Sequence, residues 1–190
     1  LKPVRGKKRL YHIAIISRDT YNFANDFYAK VCESLLDCAR KYKYNLIFEA
    51  WPDEEASLPL SISRNHIDGA IILGKVHREK VLLIKQQQIP VVLCGHPLPD
   101  LEIHTVIPDG KSGGYQATKH LIDLGHKKIA TITGGEIFDP VSRDRIEGYR
   151  YALIESGIDV VEEYIVISDF RLYSHSDKAL EKLLSIKDPP

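Results

Sequence analysis

The chain has 190 residues, 26 basic and 26 acidic side chains, and 44% apolar residues. That balance predicts a globular protein with an ordinary core, and it excludes a disordered polyelectrolyte or a body given over to nucleic-acid binding. No apolar run reaches the roughly 18 residues of a membrane helix, and no apolar signal core follows the basic start. The three cysteines are an odd count, and Cys32 and Cys38 fall on different faces of a helical pattern. A structural disulfide is therefore not expected, and a reducing compartment is.

Residues 1–9 carry five basic side chains, one proline and one glycine without periodicity, and read as a solvated tail. Tyr11–Ser17 is an Ile-rich run, the pattern of a buried strand. Tyr28, Val31, Leu35, Cys38 and Tyr42, spaced by 3, 4, 3 and 4, predict an amphipathic helix that Asn25 or Asp26 can cap. Asn45–Ala50 is a second strand. Residues 53–66, polar with Leu58, Leu60 and Ile62, predict a helix interrupted near Pro59. Ile67–Leu73 is a third strand, Glu79–Gln88 a helix, Ile89–Cys94 a fourth strand and Ile103–Ile107 a short fifth. Lys111–Leu124 is a helix with Thr118, Leu121 and Ile122 on its apolar face, closed by Gly125. Then come a strand over Lys128–Thr133, a helix over Arg143–Ser156 closed by Gly157, a strand over Tyr164–Ser168 and a helix over Ser176–Ser185. Strands alternate with helices almost throughout, which predicts parallel sheets joined by right-handed crossovers. The turn Ile107-Pro108-Asp109-Gly110 is a candidate hinge between two α/β lobes.

Motifs of catalysis are weak. Gly110-Lys111-Ser112 resembles the end of a phosphate loop, but Thr105 stands where the first glycine belongs and Pro108 removes an N–H from the cradle. A capped helix start explains it better. Gly134-Gly135 lacks the rest of a dinucleotide fingerprint. The histidines are scattered without metal-ligand spacing, and no acid–base couple stands apart. No enzymatic activity, no metal and no cofactor are expected. His126 reads as a helix-terminus residue.

Binding chemistry at the strand ends remains. In open α/β sheets ligands sit beyond the carboxyl ends of the strands. There the sequence puts Ser17-Arg18-Asp19, Gly74, Gly95-His96, Asp109 and the loop from Gly134 to Arg145, with Phe27 and Tyr28 opening the first helix. Aromatic faces, carboxylates and the guanidiniums of Arg143 and Arg145 suit a polyhydroxylated ligand. Core packing is the competing role for Phe27 and Tyr28, and a plain surface position the competing role for Arg145.

Val106–Ile132, VIPDGKSGGYQATKHLIDLGHKKIATI, resembles the lactose-repressor (LacI/GalR) family of bacterial transcription regulators. The same order and spacing appear at Asn25-Asp26-Phe27-Tyr28, Ile67–Ile72, Ile89–Leu93 and Arg143–Tyr149, so the likeness covers residues 10–187. It implies a periplasmic-binding-protein-like α/β fold of two Rossmann-like lobes with parallel sheets. Residues 1–9 would be a linker, 10–107 the N-terminal lobe and 108–190 an incomplete C-terminal lobe. It further implies a cytoplasmic homodimer without membrane contact. A small-molecule effector, a mono- or disaccharide, would bind in the inter-lobe cleft. Operator DNA would be read by a helix-turn-helix head outside this chain. Phe27 and Tyr28 match effector-contacting positions, and Arg145 matches the arginine of an Arg-x-x-Gly motif. Asp19, His96, Asp109 and Arg143 complete the candidate set. The chain departs from the family pattern at Gly95-His96, where an Asp is common, and at Asp26, where a proline is. A periplasmic sugar-binding protein of a transport system is the alternative. The Leu-Gly-His stretch and the basic start favour the repressor.

Overall fold

A computed structural model describes residues 10–18, 23, 26–134, 140–168 and 173–190, with side chains from 177 onward in the last segment. The chain divides into two compact units, Leu1–Ile107 and Pro108–Pro190.

The first unit is built on strands β1 (His12–Ser17), β2 (Asn45–Ala50), β3 (Gly69–Leu73), β4 (Val91–Cys94) and β5 (His104–Val106). Their order in the sheet is β2-β1-β3-β4-β5, every pair parallel. Helices α1 (Asp26–Tyr42), α2 (Leu60–Ser63) and α3 (Arg78–Gln86) connect them. Side chains alternate across the pleat, so each strand feeds two cores. Ala14, Ile16, Ala70, Ile72, Val91 and Leu93 face Ile62 of α2 and Val81 and Ile84 of α3. Ile13, Ile15, Ile71 and Leu73 face Tyr28, Val31, Cys32 and Leu35 of α1. With both faces covered, the interior strands β1, β3 and β4 are largely continuous apolar runs, as buried parallel strands require.

Two expectations change here. The stripe of α1 runs through Tyr28, Val31, Cys32, Leu35 and Ala39, while Cys38 and Tyr42 are exposed. At 100° per residue Cys38 falls at the margin of that stripe, and Tyr42 lies in the last turn. No helix precedes Pro59 among residues 53–58, and only the turn Leu60–Ser63 is helical. A buried ammonium holds the chain at the entry to that segment. Lys80, 8% exposed on α3, donates to Trp51 O at 3.2 Å and to Pro52 O, and lies 4.5 Å from the centroid of the Trp51 ring. Burial lowers its pKa, while Asp53, Glu54 and Glu55 push it back up.

The second unit pairs β6 (Thr131–Gly134) with β7 (Ile165–Ser168) in parallel. Helix α5 (Pro140–Glu155) covers one face through Tyr149 and Leu153, and α6 (Tyr173–Leu184) covers the other through Ala179 and Leu183. Helix α4 (Gly110–Asp123) lies along α5. Glycines set that approach: a Cβ on Gly114 would stand 2.2 Å from Arg145 O, and one on Gly148 2.0 Å from Lys111 O. Thr118 of α4 is buried and Ile122 joins the Tyr149 cluster, but Leu121 turns outward. Gly125 and Gly157 end α4 and α5 at φ +94° and +69°. The N–H of the following residue returns to the helix in each case, His126 to Leu121 O at 3.1 Å and Ile158 to Leu153 O at 2.9 Å. Those are the bonds by which a left-handed C′ glycine satisfies the last carbonyls.

Candidate functional site

The strand order reverses at β1, whose neighbours are β2 on one side and β3 on the other. That reversal opens a crevice beyond the carboxyl ends of β1 and β3, the place where doubly wound sheets hold ligands. Backbone bonds carry the sheet one residue further there: Trp51 N to Ser17 O at 2.7 Å, Gly74 N to Cys94 O at 2.8 Å and Gly95 N to Val106 O at 2.9 Å. Ser17 is fully buried and donates to Leu73 O at 3.4 Å. The floor of the crevice is therefore fixed backbone.

Above it, Tyr28 lies across the end of β4. A Cβ on Gly95 would stand 2.5 Å from the Tyr28 hydroxyl oxygen and 3.2 Å from its ring. Gly95 has φ +91°, a conformation that other residues rarely adopt. The glycine thus serves twice: it turns the chain after β4 and leaves room for the ring. Phe27 packs edge-on against Tyr28, centroids 5.0 Å apart, and is 52% exposed. Of the two, Tyr28 supports the core around Ile15 and Leu73, while Phe27 presents its ring to solvent. His96 follows Gly95 and is half-buried. Tyr28 and Gly95-His96 therefore share one strand end, with Phe27 beside Tyr28. Cys94 and Cys32 pack in the layer below, and burial raises both thiols above their ordinary range, Cys94 adding to the rise at Cys32.

A charged group here was missed by the sequence reading. Asp53, just past β2, lies 3.7 Å from Arg18 after β1 and 3.4 Å from His77 after β3. One carboxylate thus ties together the loops beyond three strands. The carboxyl-end rule that selected Arg18 also covers the segment after β2, and would have found Asp53.

In the second unit Asp109 is the N-cap of α4, its carboxylate accepting from Ser112 N at 2.9 Å. Asp109, expected to contact the effector, thus has a capping role. Gly110 sits close to α5, where a Cβ would lie 3.5 Å from Arg145 Cγ. Asp109 and Arg145 consequently flank the same helix start. Arg143 and Arg145 are both exposed, which a ligand-binding guanidinium needs. Ser142 between α5's first turn and the sheet donates to Gly134 O and holds the helix start onto β6. Asp19 lies outside the described residues, as does Asn25.

A groove of about 590 Å³ lies elsewhere, at the amino ends of β4 and β5, lined by Lys85, Gln88, Ile89–Val91 and Glu102–His104. It contains none of the predicted residues and faces the opposite end of the sheet. Among the described residues no group of three or more His, Cys, Asp or Glu is arranged to hold a metal ion. No described helix is long and apolar enough to cross a membrane.

Comparison with known proteins agrees with this architecture. The family of periplasmic binding proteins and the sugar-binding domain of the LacI family matches residues 13–190. Catabolite control protein A of Priestia megaterium is 34% identical over 97% of this chain and 56% of its own length. The transcriptional repressor PurR of Aliivibrio salmonicida is 29% identical over 87% of this chain and 51% of its own. In structure, the transcription regulator CcpA of Lactococcus lactis superposes with a TM-score of 0.78 at 30% identity, covering 91% of this chain and 64% of that one. A complex of the transcriptional regulator CelR with cellobiose gives 0.74 at 26% identity, covering 93% and 56%. The chain thus spans little more than half the length of the curated relatives it matches. It belongs to the family of periplasmic binding proteins and LacI-type sugar-binding domains.

Proposed function

We propose that this chain is the effector-sensing part of a LacI-type transcriptional repressor acting as a cytoplasmic homodimer. In this reading residues 10–107 and 108–190 are its two lobes, the second continuing beyond this chain. A mono- or disaccharide binds at the carboxyl ends of the strands and changes the operator affinity of a helix-turn-helix head. The family match over residues 13–190 carries the reading. The aromatic pair Phe27–Tyr28 at the crevice supports a sugar, because an aromatic face packs on the C–H face of a pyranose ring. His96 beside it, Asp19, Asp109, Arg143 and Arg145 are the polar groups offered to hydroxyls. The relatives named above are regulators, which favours this reading over a transport protein.

A thermal-shift panel on the effector domain tests it, with mono- and disaccharides, sugar phosphates, purines and nucleotides as ligands. A ligand that binds only the folded state raises the midpoint with concentration. A dose-dependent rise with one sugar is expected. A rise with a purine or nucleotide and with no sugar keeps the fold and overturns the sugar assignment.

A further inference from the structure

The start of β1 is gripped from both neighbouring strands, at the end of the sheet opposite the crevice. Tyr11 has φ +62°, a left-handed conformation that costs a non-glycine residue about 1 kcal/mol. Something must hold it there, and one carboxylate does. Asp68, just before β3, accepts from Leu10 N at 3.0 Å and from Tyr11 N at 2.5 Å through Oδ2, and from Leu10 N at 3.2 Å through Oδ1. Successive N–H groups beside a left-handed residue form a concavity that holds an anion. Here the anion is the protein's own. Asp68 also donates its backbone N–H to His12 O at 2.8 Å. From the other side, Asn45 N donates to Tyr11 O at 2.7 Å, and the Tyr11 and Tyr44 rings meet with centroids 5.6 Å apart. His12 Nδ1 lies 3.0 Å from His66 O.

This grip does not come from burial, since Leu10 and Tyr11 are 38% and 46% exposed. It is made of directed bonds from the amino ends of β2 and β3. Six-residue β1 spans about 20 Å, with the clasp at one end and Ser17 at the crevice at the other. β1 is packed on both faces, and close-packed interiors transmit strain, so it can carry a displacement from one end to the other. That displacement would be lost in a loose joint at residues 10 and 11.

We infer that Asp68 is a positioning residue for regulatory output: it fixes the chain before β1 to the sheet, so that movement of the first unit carries that chain with it. This rests on the repressor reading, in which the DNA-reading head precedes Leu10. Coupling between two sites requires that both bias one shared element, and the clasp makes the sheet that element.

The test uses the full-length regulator as wild type, Asp68→Ala and Asp68→Asn, with the sugar found in the melting panel, cellobiose being tried first. Effector affinity is read by calorimetry, and operator affinity with and without the sugar by fluorescence anisotropy. Amide exchange reports the clasp directly. In wild type the Leu10 and Tyr11 amides exchange slowly. In Asp68→Ala they exchange freely while Ile15 in β1 stays protected. Sugar affinity then stays within about twofold, while the sugar-dependent change in operator affinity shrinks at least about fivefold. Asp68→Asn, which keeps an acceptor oxygen, recovers part of that change and serves if the alanine variant folds poorly. An unchanged sugar response in a variant with freed amides overturns the inference, as do freely exchanging Leu10 and Tyr11 amides in the wild type. A wild type that binds the sugar without any change in operator affinity overturns the repressor reading instead.

Discussion

Gly95 is the residue on which the crevice depends most directly, because its missing side chain is filled by Tyr28. Gly95→Val forces a left-handed conformation on a β-branched residue and pushes the ring aside. The expected result is a loss of about 1–2 kcal/mol of stability and a larger loss of effector affinity, read by calorimetry beside a melt. At the other half of the candidate set, Arg145→Ala leaves the fold intact, since the side chain is exposed. It should weaken effector binding by about 2 kcal/mol, roughly thirtyfold, as lost hydrogen bonds to a charged group do. Unchanged affinity would remove Arg145 from the site. Tyr149 gives a pH prediction. Its hydroxyl is buried and donates to Ile129 O at 2.7 Å. Burial first, then Glu162 and Tyr164, push its pKa up to about 12 from the ordinary 10, against a smaller pull from Arg150. The folded state thus keeps a proton that the unfolded chain releases. Its contribution is complete below about pH 10 and lost as pH rises toward 12, at most about 3 kcal/mol. Melts from pH 8 to 12 should fall steeply above about pH 10, and less steeply in Tyr149→Phe.

Elements show what kind of information a sequence carries. The Ile-rich strands and the glycine-closed helices were legible because their causes are local: an apolar run, or a residue that tolerates φ near +90° after the last turn. The segment 53–66 misled, because the chain entering it is held by Lys80, a residue distant in sequence whose ammonium collects the carbonyls of Trp51 and Pro52. In the same way, the Asp53 link to Arg18 and His77 joins three loops that no local pattern connects. The placement of Phe27, Tyr28 and His96 at the carboxyl ends of the strands was readable from the topology alone. The use of Gly95 as the seat of Tyr28 was not, since it depends on ring placement. The glycine pair in α4 makes the contrast testable. A Cβ on Gly113 meets nothing within 4 Å, whereas one on Gly114 meets Arg145 backbone at 2.2 Å. Gly113→Ala should raise stability by about 0.5–1 kcal/mol through helix propensity. Gly114→Ala gains the same propensity but must force α4 from α5, for a net loss of about 1–2 kcal/mol. Chemical denaturation of the two variants should move the midpoint in opposite directions. Equal shifts would contradict the close approach of the helices.

At the scale of the molecule, the order β2-β1-β3-β4-β5 makes the first strand of this unit an interior strand of its sheet. Ile15 pairs with Phe48 on one side but with Ile71, 56 residues later, on the other. At about 5–20 residues per second, β1 leaves the ribosome roughly 3–11 seconds before β3 does. Through that interval Ile13–Ile16, buried on both faces in the finished sheet, has at most one strand beside it and open edges that can template aggregation. The same interior placement that seats the end of β1 at the crevice therefore leaves HIAIIS with an unpaired edge during translation, and slower synthesis lengthens that exposure.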